Sequence, residues 1–214
     1  MTKGGLANHL KKCGKRQEAI NVADSQATKR KQKLYHLQIQ DAWSSAFWLH
    51  IEVNGTARLV DLDEYLRAIW LECCGHLSQF SVGKRWGDEI PMSQKIEYVF
   101  QPGVETLTHI YDFGTSSETL VKLVGMREGH PLTKHPIFLM ARNNMPEEVC
   151  VECGEPAHLI CPECLFFEQE WTLLCEKHAA EHPHHDGEYG EPIPLINSPR
   201  FGMCGYDGPA EPPY

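Results

Sequence analysis

From Tyr35 onward the chain switches between two spacings of apolar residues. Tyr35, Leu37 and Ile39 alternate with His36, Gln38 and Gln40, and Phe47, Leu49, Ile51 and Val53 alternate with Trp48, His50 and Glu52. A period of two sends one set to a buried face and the other to solvent, so both stretches predict half-buried antiparallel strands. Asn54-Gly55 supplies the turn after the second. Over 59–74 the spacing becomes helical: Leu62, Leu66, Ile69 and Cys73 share a face, widened by Leu59, Tyr65 and Trp70, and Gly75 ends the run. Asp61 followed by Glu64 has the form of a capping box with Asp61 at the cap. Further strands are expected at 76–82, 95–100, 107–113, 118–125 and 136–141, with a loop over 83–93. Adjacent Cys73 and Cys74 suit one ion poorly and read as small buried hydrophobes. About seven short strands and one main helix define an α+β domain with an antiparallel or mixed sheet.

Before Tyr35 the pattern fades. Residues 1–34 are polar, with a short helical period at Leu6, Leu10 and Ile20, and read as a basic, solvated arm. His9 and Cys13 resemble half of a finger whose first cysteine pair is missing, and two ligands cannot close a structural site. Charge is divided unevenly along the 214 residues. The arm carries nine Lys/Arg against Glu18 and Asp24, a balance of +7, while the whole chain has a net charge of −9, leaving −16 on the remainder. Residues 150–214 hold twelve Asp/Glu against Lys177 and Arg200. Phosphate binding needs cations, so nucleic acid is a partner for the basic arm alone, through the run Lys29–Lys33. The acidic end instead suits a protein partner. No stretch approaches the roughly 20 apolar residues of a membrane span, and no export signal is visible. Nine cysteines then read as metal ligands and free thiols in a reducing cytoplasm.

The strongest chemical signal lies between 150 and 185. Cys150-x2-Cys153, Cys161-x2-Cys164 and Cys175-x2-His178 follow in order, and His182, His184 and His185 come next. A tight turn lets two donors separated by two residues face one ion, and zinc favours four S/N ligands in a tetrahedron. Four pairs suffice for two zinc ions. The expected ligands are Cys150, Cys153, Cys161, Cys164, Cys175, His178, His182 and His185, with His184 in place of His185 as an alternative and His158 as a spare. Pairing can be interleaved, with the first and third pairs on one ion, or sequential. The ten residues 165–174 can fold back as a hairpin, which favours interleaving. Closed sites of this kind are structural, and about 40 residues bury too little to fold without metal. Chelation is therefore expected to unfold 150–186 and leave 35–141 folded. Cys204, in a Gly/Pro-rich tail, reads as a turn residue, and Asn197–Arg200 as a segment returning to the body.

Two resemblances add to this reading. Tyr35-His-Leu-Gln-Ile, Phe47-Trp-Leu-His-Ile-Glu, Leu59-Val-Asp-Leu-Asp, His76-Leu-Ser-Gln-Phe80 and Tyr111-Asp-Phe-Gly114 resemble the plasmid pRiA4b ORF-3-like family, whose members include passenger proteins of mobile genetic elements. That resemblance implies an α+β fold and no particular chemistry. It departs after Gly114, where the family continues with an acidic residue and a tryptophan and this chain has Thr115 and Ser117. The Cys/His segment resembles a B-box-like cross-brace module, which implies the interleaved pairing and a role in protein contacts. The expected organisation is a basic arm (1–34), an α+β domain (35–145), a zinc-binding module (146–190) and a tail packing back on the body (191–214). The expected function is that of a non-enzymatic, zinc-binding adapter protein. The alternatives are an enzyme with a site built from His36, His50, His76, His109 and Asp112, and a nucleic-acid-binding protein. The patterns GxxxxGKS, GxGxxG, GxSxG and HExxH are absent.

Overall fold

The computed structural model describes residues 3–27, 30–83, 86–184 and 190–214. Seven strands form one antiparallel sheet: β1 (Gln32–Asp41), β2 (Trp48–Asn54), β3 (Ser78–Val82), β4 (Glu89–Ile90), β5 (Thr106–Tyr111), β6 (Ser117–Gly129) and β7 (Ile137–Arg142). Their order across the sheet is β4-β3-β5-β6-β1-β2-β7. With the helices, this is a mixed α+β fold, as the spacing of apolar residues implies.

The alternating register decides the two faces. Tyr35, Leu37 and Ile39 pair across β2 with Val53, Ile51 and Leu49, and all six enter one core with Phe80, Leu107, Tyr111, Val121 and Ile137. A helix covers that face. Helix α3 (Leu59–Leu66) contributes Leu59, Leu62, Tyr65 and Leu66 and runs on into a wider π turn, Arg67–Leu71, that adds Ile69, Trp70 and Leu71. The helix opens at Leu59, where the helical spacing begins, but its cap differs from the expected one. Arg58 is its N-cap residue and donates its backbone N–H to Asp61 Oδ2 at 2.7 Å, so Asp61 occupies the third helical position and not the cap.

The stretch predicted as a strand at 95–100 is instead a short helix, α4 (Ile96–Val99). Ile96, Val99 and Phe100 are all buried, a spacing of three and four that only a helical turn can point one way. Strand β4 lies within the expected loop 83–93.

The opposite face carries His36, His50 and Glu52. Two helices lie against it, α1 (Lys3–Lys12) and α2 (Gly14–Gln26). Arg16 of α2 reaches Glu52 at 2.6 Å, where Arg127 of β6 also binds at 2.6 Å, and Asp24 accepts from the His130 backbone and ring at 3.0 and 2.9 Å. The arm is thus docked by polar contacts, and Arg16 and Lys31 spend their charge on Glu52 and Asp24. His9 and Cys13 join no metal-type group among the described residues. Lys29 lies outside the described residues.

A second sheet, order β10-β8-β9, joins β8 (Leu159–Ile160), β9 (Leu173–Leu174) and β10 (Ile193–Pro194). Strand β10 comes from the expected tail and pairs antiparallel with β8. Ile160 and Phe201 belong to the main core, with Leu165, Leu173, Ile193 and Leu195 packed against it. The tail then crosses the body: Ser198 Oγ donates to Trp70 O at 2.6 Å, Asn143 Nδ2 donates to Asn197 Oδ1 at 2.7 Å, and Asn197 Nδ2 donates to the Asn143 backbone O at 2.9 Å.

Candidate metal centres

Each pair of donors in the module is held by a local turn. After Cys150, the chain passes through Cys153 to Gly154, whose N–H returns to Cys150 O at 2.9 Å. Gly154 has φ +75, a left-handed conformation that glycine adopts without a Cβ penalty. At the second pair the Cys164 N–H donates to Cys161 Sγ at 3.4 Å, turning the chain around the sulfur. Cys175 caps helix α5 (Glu176–Ala180), and His178 sits three residues on, so one helical turn aims both the same way. The hairpin of β8 and β9 pairs Leu159 with Leu174 and Ile160 with Leu173, returning Cys175 beside Cys150.

The result is two four-donor groups, each with its ligand atoms within 4.8 Å of one another: Cys150, Cys153, Cys175 and His178, and Cys161, Cys164, His182 and His184. In the first, Cys150 Sγ and Cys175 Sγ each lie 3.4 Å from His178 Nδ1, and Cys153 Sγ lies 3.9 Å from Cys175 Sγ. In the second, Cys164 Sγ lies 3.3 Å from His182 Nε2 and 3.2 Å from His184 Nδ1, with Cys161 Sγ at 3.7 Å from the latter. Zn–S bonds of about 2.3 Å and Zn–N bonds of about 2.0–2.1 Å put the edges of a tetrahedron at roughly 3.8 Å (S···S) and 3.6 Å (S···N). The observed separations match those edges to a few tenths of an ångström. Both groups can hold a metal ion, and the pairing is interleaved. His184 fills the place expected for His185, which lies outside the described residues. His158 is exposed and joins neither group.

The electrostatics follow the packing. Burial pushes the Cys150 thiol up, but backbone N–H groups of Cys175, Glu152 and Cys153 and the His178 ring outweigh it and bring it down to about 6. A thiol so placed is ready to serve as a thiolate ligand. Cys164 goes the other way: burial lifts it to about 12, with Cys161 adding and the Thr172 side chain opposing. Burial and the neighbouring His184 ring push His182 down, favouring the neutral imidazole that ligates metals. Around these donors the module's own core is Leu174 and Ala179, with Leu159 packed against it. That is little apolar mass to hold a fold.

The histidines of the sheet do not form one site. His36 Nε2 and His50 Nδ1 share a buried hydrogen bond of 2.8 Å, whereas His109 bonds to Asp63 of α3 at 2.7 Å. His76 and Asp112 meet elsewhere, Nε2 to Oδ2 at 3.4 Å, beside three cysteines expected to be structural. Cys74 and Cys204 are exposed, so Cys74 is not a buried hydrophobe, whereas Cys73 is half-buried and packs against the main core. The sequence marks only part of this cluster, because its members are drawn from three distant segments.

No family model and no curated protein matches the chain. Among solved structures, it is similar to a crystal structure of a protein of unknown function, MM3350 from Methanosarcina mazei Go1, at 19% identity and a TM-score of 0.45. The match covers 52% of this chain and 69% of that one. No described helix is long and apolar enough to cross a membrane.

Proposed function

We propose that the two Cys/His groups hold zinc and that the protein is a non-enzymatic adapter, docking a protein partner on its zinc-ordered acidic end. The observation that carries this reading is the interleaving of two complete donor sets. Thiolate and imidazole together select a borderline-soft ion such as zinc. With four protein donors each, neither ion keeps a position for substrate, which is the arrangement of structural sites. The ions would order a segment with twelve acidic residues against two basic ones over 150–214. Such a surface favours a basic partner and speeds its encounter. Phe166, Phe167 and Trp171 stand exposed on the same module, and aromatic residues are enriched where proteins meet. The resemblance to mobile-element passenger proteins supports placing that partner among the proteins of such elements.

The test is a pull-down from the native host by the purified chain, with metal, after chelation, and across a salt series, with zinc counted by elemental analysis. A specific protein retained by the zinc-loaded chain, lost on chelation and weakened by salt is the expected result. Equal capture with and without metal overturns the adapter reading.

A further inference from the structure

We propose a third metal site, outside the module, in which His76, Asp112, Cys74 and Cys204 take a divalent ion of the zinc or cobalt class. Two donor groups overlap here, Cys73/Cys74/His76 and His76/Asp112/Cys204, each with its ligand atoms within 4.8 Å of one another. Both use the same imidazole. His76 Nε2 lies 2.9 Å from Cys74 Sγ and 3.4 Å from Asp112 Oδ2, and Asp112 Oδ2 lies 3.9 Å from Cys204 Sγ. One nitrogen facing both a thiol and a carboxylate is the geometry of donors converging on a common centre. A thiol–imidazole–carboxylate relay would need the two partners on opposite ring nitrogens.

The donors are held in place by their neighbours. Asp112 Oδ1 accepts from the N–H groups of Gly114 and Thr115 at 2.9 and 3.2 Å, and Arg200 Nη2 donates to Oδ2 at 2.6 Å. On the other side, Tyr111 Oη accepts from the backbone N–H groups of Cys73 and His76 at 3.4 and 3.3 Å and donates to Glu72 at 3.0 Å. The His76 ring stands edge-on to Tyr111, with centroids 5.7 Å apart. Outer-shell bonds of this kind fix the aim of metal ligands. Two donors also sit in strained backbone: Asp112 has φ +64 and Cys204 φ +50, left-handed conformations that non-glycine residues keep only where their surroundings enforce them. His76 and Asp112 are pinned, whereas Cys74 and Cys204 are exposed, so rotation of two surface thiols closes the set about one ion.

Charge is consistent with a cation despite the guanidinium nearby. Two thiolates and a carboxylate supply three negative charges, which a divalent ion and Arg200 together balance. Arg200 Nη2, 3.5 Å from both Cys73 and Cys204, then serves the sulfurs as a hydrogen-bond donor behind the ligands. Cys73, its Sγ 3.4 Å from that of Cys74, remains in that supporting layer, where it accepts from Arg200 Nη2 and packs against the core.

The experiment counts zinc on the full chain, refolded and dialysed under reducing conditions, by native mass spectrometry and elemental analysis. It compares wild type with His76→Ala, Cys204→Ser and the module variant Cys153→Ser, and follows cobalt(II) uptake by the thiolate-to-cobalt charge-transfer absorption. His76→Ala and Cys204→Ser should each hold one equivalent fewer than wild type and lose part of the cobalt band. The loss should add to that of Cys153→Ser. Cys204 is exposed, so that variant tests the site even where His76→Ala fails to fold. A wild-type count retained by Cys204→Ser, or a Cys74–Cys204 disulfide in the reduced and metal-loaded chain, overturns the proposal. The subtraction is independent of the module: a chain that loses an ion with His76→Ala but none with Cys153→Ser would refute the module's zinc and leave this site standing.

Discussion

Arg200 carries a guanidinium into the interior with no accessible surface, and Asp112 answers it at 2.6 Å, with Thr115 O and Ser117 Oγ accepting at 2.8 and 2.9 Å. Removing Arg200 leaves Asp112 charged and buried with only the Gly114 and Thr115 N–H groups, the His76 ring and the Cys204 thiol to answer it. Arg200→Met is therefore expected to cost about 3–5 kcal/mol, read as a drop in the urea midpoint, although Met fills similar volume. A second buried pair sets a pH dependence. Burial first, then the His50 ring and the charges of Arg16 and Lys11, pushes His36 down from 6.5 to about 3. The unfolded chain then binds more protons than the folded one between these values, so stability is complete above pH 6.5 and falls as pH drops toward 3. Between pH 7 and pH 5 the loss should be roughly 2 kcal/mol. Thermal melts of wild type and His36→Gln check it, the variant giving the shallower slope.

At the scale of elements, legibility follows how local each cause is. The x2 pairs were readable because one turn makes each of them, and the hairpin over 165–174 was short enough to imply interleaving. The choice between His184 and His185 was not, since adjacent residues stand at almost the same sequence distance from the second cysteine pair and only the path of the chain selects. His184→Ala should remove one bound ion per chain by native mass spectrometry, and His185→Ala should leave the count unchanged. Helix α2 escaped the pattern for a different reason: it buries no residue, so it has no apolar stripe to display, and its place is set by Arg16 bonding to Glu52 of β2 and Asp24 to His130, just past the end of β6. The segment 95–100 was misread because Ile96, Val99 and Phe100 serve a single turn, too few positions to separate a period of two from one of 3.6. Of the cluster around His76, the sequence offered His76 and Asp112 only within a mixed set of sheet residues, and neither of the thiols beside them. Its ligands lie at 74–76, 112 and 204, and folding alone brings them together.

For the whole molecule, the shared core changes what metal removal should do. Ile160 and Phe201 are buried with the sheet and α3, and Trp171 packs edge-on to Phe201 at 5.1 Å. The sequence suggested a module melting by itself. With Ile160 in the main core, chelation should unfold the module and also lower the melting temperature of the body. Trp171 reports the first event and the fully buried Trp70 the second. Hydrogen exchange with and without chelator measures both: faster exchange over 150–184 and, to a smaller degree, in β1, β2 and α3. Exchange of the body untouched by metal removal would show that the apolar contacts of Ile160 and Phe201 carry little of its stability.

Interleaved ligands also bear on synthesis. The first donor set is incomplete until His178 has been added and the second until His184, while the earliest cysteine of each was made more than twenty residues before. A growing polypeptide on the ribosome therefore passes through a long interval with exposed, unfilled thiols. It then acquires both complete sets within six residues of elongation, so metal loading would be concentrated at the moment when the end of the module leaves the exit tunnel.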